Sequence, residues 1–167
     1  YLYVAEVAPA GTVKARVSPF VSATNADAVL GGEAYFDDVV ASLDPLPPPE
    51  FPTAIVNEGF EGTLSGWTDL YGLPTALDTD ARSGGYSAKT TFGQIPNEDY
   101  FSLFFQDIYY SNQGGSFPQD QDVYLTAYLK SNINPAASAA VGIRLEYFDD
   151  TCDPCEISHD QISAIND

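Results

Sequence analysis

DVYLTAYLKS, residues 122–131, sets Val123, Leu125, Ala127 and Leu129 on one side and Tyr124, Thr126, Tyr128 and Lys130 on the other. Such alternation marks a β-strand with one face in a core and one outside it. TVKARVSPF (12–20) repeats it, with Val13, Ala15 and Val17 against Lys14, Arg16 and Ser18. So does VGIRLEYF (141–148), with Val141, Ile143, Leu145 and Tyr147 against Arg144, Glu146 and Phe148. FSLFFQDIYY (101–110) is apolar on both sides, as expected of a strand covered on both faces. RSGGY (82–86), SNQGGSFP (111–118) and NINP (132–135) are turn signals between these runs. The one candidate for a helix is EISHDQISAI (156–165), and it is short. An all-β, antiparallel sandwich is therefore expected, with no internal repeat.

Composition narrows the function classes. The chain has 167 residues, 44% of them hydrophobic, enough to bury the core of one domain. It carries 24 acidic and 6 basic residues, a net charge of −18, so nucleic acid is a poor partner. An acidic surface keeps a secreted protein soluble and favours divalent cations. No run reaches the ~18 apolar residues of a membrane span, so no membrane insertion is expected. YLYVAEVAPAG (1–11) lacks a basic stretch followed by an apolar one and does not read as a signal peptide. The chain has no Met, so it is expected to be a processed form, a fragment or a repeat unit of something longer.

Cys152 and Cys155, in TCDPC, follow a strand instead of opening a helix, unlike a thioredoxin-type redox pair. Zinc would need two further ligands, and His159 is the single histidine. A local disulfide is expected, which points to an extracellular or cell-surface setting. His159 has no Ser or Cys constellation around it, and the abundant acids form no spacing that implies a catalytic pair, so no enzyme activity is expected.

LDPLPPPEFP (43–52) holds five of the chain's twelve prolines. Such a stretch favours extended polyproline II and makes a semi-rigid strut on the order of 25–30 Å long. The strut divides the chain into residues 1–43, a linker over 44–56, and residues 57–167.

NEGFEGTLSGW (57–67), RSGGYSAKTTF (82–92) and DVYLTAYLKS (122–131) together resemble the galactose-binding-like jelly rolls of family 4/9/22-type carbohydrate-binding modules. In that family an Asn-x-Gly-Phe-Glu opening precedes a Trp, matched by Phe60, Glu61 and Trp67. A Ser-Gly-x-Tyr-Ser turn is matched by Ser83 to Ser87. The family closes with Ala-Pro-x-Gly and Tyr-Phe-Asp-Asp-Val, present here as APAG (8–11) and YFDDV (35–39) but at the opposite end. The resemblance implies a jelly roll whose closing strands stand first in the chain.

That order suggests assembly. An acceptor over 57–167 without its last strands would expose unpaired sheet edges, which strand addition from another copy can bury. Residues 1–43 would be the donor, with Val13, Ala15, Val17, Tyr35, Phe36 and Val39 as its inserting residues. Donor and acceptor surfaces differ, so the contact would propagate into a filament of identical subunits. An excised unit of a tandem array would show the same order, and whether neighbouring copies are covalently continuous stays open.

The resemblance also implies a structural Ca²⁺ held by Asp37, Glu61 and Ser83, with Asp38 and Asn57 nearby. A sugar site is the competing expectation. Tyr124, Tyr128, Arg144 and Glu146, with Lys14 and Arg16, lie on the non-core sides of their strands and would form one mixed surface if those strands are neighbours. Interstrand ion pairs are the alternative for the charged members. Trp67 is expected in the core or as a lid. The function expected first is a non-enzymatic filament subunit. A carbohydrate-binding module, free or in a tandem array, comes second, and an adhesin stalk third.

Overall fold

The structure is a computed structural model that describes residues 1–23, 31–42, 55–69, 75–92, 101–102, 104–109, 122–133, 139–149 and 156–164. Among them there is no helix. The strands are β1 (Leu2–Val7), β2 (Lys14–Ala23), β3 (Glu33–Ser42), β4 (Thr68–Asp69), β5 (Thr75–Asp78), β6 (Ser87–Thr91), β7 (Phe101–Ser102), β8 (Phe104–Tyr109), β9 (Asp122–Ser131), β10 (Ala139–Phe148) and β11 (Glu156–Ala164). They form two antiparallel sheets, ordered β1-β9-β3-β6-β5 and β11-β10-β2-β8-β4, with β7 paired to β2. The protein is an all-β sandwich.

Alternation accounts for most of the packing. Val123, Leu125 and Ala127 of β9, Val141, Ile143, Leu145 and Tyr147 of β10, and Ala15, Val17 and Val21 of β2 all enter one core. β3 has the same logic with one interruption. Its inward residues are Ala34 and Phe36, then Val39 and Ala41, because the register with β9 shifts between Asp37 and Val40. Asp38 takes a left-handed φ of 48° there. The extra residue of this bulge resets parity, so Val39 points inward instead of out.

Phe36 sits at the centre, edge-on to Phe104 with ring centroids 5.7 Å apart. Phe60 and Trp67 complete the cluster, 6.0 and 5.3 Å from Phe104. Trp67 is thus core-packed, and its indole Nε1 donates to the Asn57 carbonyl at 3.2 Å. Phe36→Ala should destabilise the fold by about 3–5 kcal/mol through the cavity it leaves. Denaturant melts check this, with an unchanged slope and a lower midpoint as the expected result.

Two expectations need correction. EISHDQISAI is not helical: Glu156–Ala164 is a strand on the free edge of β10, with His159 opposite Glu146. Within Glu156–Ala164 the apolar residues do not recur at helical spacing, with Ile157 and Ile162 five apart, and an open sheet edge offers backbone pairing along its length. Val13 does not belong to the inserted face, since it precedes β2 and is 42% exposed. The APAG turn carries it outward, with Thr12 N and Oγ1 both donating to the Pro9 carbonyl.

Candidate assembly interface and metal centre

β2 and β3 lie inside their sheets. β3 runs between β9 and β6, with Phe36 opposite Leu129 on one side and Ala88 on the other. β2 runs between β10 and β8, with Arg16 opposite both Glu146 and Asp107. Ile55, within the expected linker over 44–56, is a core residue at 2% exposure. Val56 N also donates to Gln106 Oε1 at 2.6 Å, and Gln106 Nε2 returns a bond to Val56 O at 3.0 Å. The proline-rich residues 43–54 lie outside the described residues.

The outer face of β2 carries charge into an enclosed setting. Arg16 forks onto Asp107, Nε to Oδ1 at 2.7 Å and Nη2 to Oδ2 at 3.0 Å, and Lys14 Nζ meets the same carboxylate at 3.2 Å. The Arg16 guanidinium also lies 3.8 Å from the Phe105 ring centroid. Burial alone would lower the Arg16 pKa, but the bond to Asp107 and its charge outweigh that and hold it above the ordinary guanidinium value. Beside this group Arg144 Nη1 pairs with Glu146 Oε1 at 3.3 Å, and Ser18 Oγ donates to Glu146 Oε2 at 3.4 Å. The Lys14 and Arg16 pairs with Asp107 join β2 to β8, whereas the Arg144–Glu146 pair lies within β10. Each of Lys14, Ser18, Arg144 and Glu146 is buried, although alternation alone assigns them to an open face.

A second cluster forms where the β3 bulge meets the turns at 57–62 and 82–85. Asp37 accepts three backbone N–H groups, from Asp38 at 2.8 Å, Arg82 at 2.8 Å and Ser83 at 3.0 Å. Asp38 accepts from Ser83 Oγ at 2.7 Å and pairs with Arg82 Nη1 at 3.1 Å. Glu61 accepts from Gly85 N at 3.1 Å and packs so closely on Gly84 (φ +60°) that a β-carbon there would collide with it. Val39 N donates to the Glu58 carbonyl at 3.0 Å, which ties β3 to the same turn. Asp37, Asp38 and Glu61 all converge on Gly59, where a β-carbon would lie 4.0, 3.8 and 3.9 Å from Asp37 Oδ1, Asp38 Oδ1 and Glu61 Cγ.

Burial pushes the Asp37 carboxyl up. Its three N–H bonds oppose that, the Asp38 charge adds to it, and the net pKa is raised. An acid raised by folding binds its proton more readily when folded, so ionising Asp37 as pH rises costs stability.

The structure thus brings Asp37, Asp38, Glu61 and Ser83 together. Asn57 serves the turn instead, its Nδ2 donating to Thr63 O at 2.7 Å and Ser65 O at 3.3 Å. Oxygen donors of this kind fit Ca²⁺, while the arrangement is that of a hydrogen-bonded clasp. Among the described residues no group of three or more His, Cys, Asp or Glu is set to hold a metal ion.

The four residues expected to share a sugar surface are separated. Tyr124 and Tyr128 lie outward on β9 of the first sheet, and Arg144 and Glu146 lie on β10 of the second. Tyr35, expected at the inserted face, also lies outward, its hydroxyl donating to Glu33 Oε2 at 2.9 Å. Tyr35, Arg82, Ser87, Tyr128 and Lys130 line a pocket of about 240 Å³ there, with Arg82 3.8 Å from the Tyr128 ring centroid. Cys152 and Cys155 lie outside the described residues. Sequence reading missed Asp107, the one acid in the strand FFQDIY. A lone acid in an apolar strand asks for a cation, and Lys14 and Arg16 already stood on the outer side of β2.

No family model, curated protein or solved structure matches this chain.

Proposed function

We propose that the protein is a structural subunit of an extracellular filament, assembled head to tail by β-strand complementation between jelly-roll modules. The reading rests on one observation. Of the strands in residues 1–42, β3 and β2 are interior members of the first and second sheets and β1 is an edge of the first, and a proline-rich segment separates all three from the rest. A chain closed on itself and a chain that passes its strands to the next copy make the same strand contacts, and the linker decides between them. An extended polyproline strut favours the neighbour. Each junction then buries on the order of 2,000 Å² or more, in the range of obligate interfaces. Electron micrographs and light scattering of the purified protein test this. Filaments or a multimer ladder support it, and a uniform 18.0 kDa particle argues against it.

In this reading Ca²⁺ strengthens the clasp of Asp37, Asp38, Glu61 and Ser83, which joins donor to acceptor. Saturating calcium, about 100 times its Kd, should add about 2.7 kcal/mol, read as a higher melting temperature that a chelator reverses. Asp37→Asn should abolish the response. A melting temperature indifferent to both calcium and chelator removes the ion from the account.

A second reading, a carbohydrate-binding module, draws on the pocket beside Tyr35 and Tyr128, where ring faces and polar groups stand together. Glycan binding lost in Tyr128→Ala would favour it.

A further inference from the structure

We infer that the tyrosines facing each other across β1 and β9 form an oxidative cross-linking site, served by a one-electron phenol oxidant of the peroxidase and hydrogen peroxide class. β1 is an edge strand; Tyr1, just before it, and its outward Tyr3 are 58% and 42% exposed. Leu2 pairs with Ala127, so the same register sets Tyr1 beside Tyr128, their ring centroids 5.1 Å apart. Tyr3 and Tyr124 lie diagonally, at 6.2 Å. These are distances at which ring ortho carbons meet after small side-chain rotations, because cross-strand neighbours share one outer surface.

The surroundings favour the chemistry. Tyr124 Oη donates to Asp122 Oδ2 at 3.0 Å, so a base is in position to take the phenolic proton as the electron leaves. The Arg82 guanidinium holds the Tyr128 ring. Tyr86 and Tyr109 are exposed too, yet neither has a tyrosine ring against it among the described residues.

Peroxide takes one electron and one proton from each of two phenols and is reduced to two waters. The two phenoxyl radicals join through their ortho carbons. Each of those carbons then passes its hydrogen to its own oxygen, which restores two phenols linked by a carbon–carbon bond. The link fastens the N-terminal strands to the body of the sandwich. In a filament it would lock one subunit to the next, and that part alone rests on the assembly reading.

Purified protein treated with horseradish peroxidase and hydrogen peroxide tests the site by dityrosine fluorescence, tandem mass spectrometry of peptides and a denaturing gel. Expected are Tyr1–Tyr128 and Tyr3–Tyr124 links, lost in Tyr1→Phe/Tyr3→Phe and equally in Tyr124→Phe/Tyr128→Phe. These variants keep the rings and hence the packing. A covalent ladder on the gel joins the result to the assembly reading. The same links confined to single chains uphold the coupling site and overturn that reading. Absence of dityrosine, or yields unchanged in both double variants, overturns the site itself.

Discussion

Removing residues 1–42 should leave a chain that does not fold until the missing segment is returned as a peptide. The deletion takes β3 from between β9 and β6 and β2 from between β10 and β8, so both sheets split. It also strips Val17, Val21, Phe36 and Val39 from the core and opens both edges of β9 and one edge each of β6, β10 and β8 to water. Whole domains of this size are held by about 5–15 kcal/mol, less than such a loss. The truncated protein should bind hydrophobic dyes, lack near-ultraviolet circular dichroism and aggregate. The peptide of residues 1–42 should restore a cooperative melt. A truncated chain that melts cooperatively alone would mean that the N-terminal strands are ornament.

Asp107→Ala should be the most damaging change of a single charged residue, at about 3 kcal/mol. Asp107 is the shared partner of Lys14 and Arg16, and all three side chains are largely enclosed. Taking it away leaves two cations in an apolar surround of Phe105 and Phe148. Replacing all three with apolar residues of similar volume should cost far less, since the penalty comes from orphaned charge and not from the missing bond. Asp80→Ala, by contrast, frees only the exposed Lys130 and should leave the melting midpoint nearly unchanged. Urea melts of the three variants check the ranking, and high salt should leave the Asp107 effect nearly intact because enclosed charges are poorly screened.

Much of the fold could be read directly. β2, β9 and β10 announce themselves by alternation, and apart from Val13 their inward residues form the core in the expected phase. Three features could not be read that way. Where β3 bulges, Asp37 and Asp38 look like ordinary strand residues, and only the pairing with β9 reveals that one of them is extra. β11 carries too little apolar patterning to distinguish a strand from a short helix, and the open edge of β10 decides it. Finally, alternation tells inside from outside for one face only. It cannot tell that Lys14, Ser18, Arg144 and Glu146 are enclosed on the far side of the second sheet, nor which sheet each strand joins. That second gap is why alternation alone puts Tyr124 and Tyr128 with Arg144 and Glu146, from which the sandwich separates them. The acidic clasp was legible except for Asn57, whose side chain closes its own turn.

The source of the N-terminal strands is the central issue, and the Lys14–Asp107 contact reports it. Light and heavy-nitrogen chains would be unfolded together, refolded as an equal mixture and treated with a carbodiimide, which converts that 3.2 Å ion pair into an amide. Strands donated between copies predict that about half of the Lys14–Asp107 cross-linked peptides join a light partner to a heavy one, the statistical share for a contact between different subunits. Cross-linked peptides that are all uniformly light or uniformly heavy would show each chain completing itself, and would contradict the account.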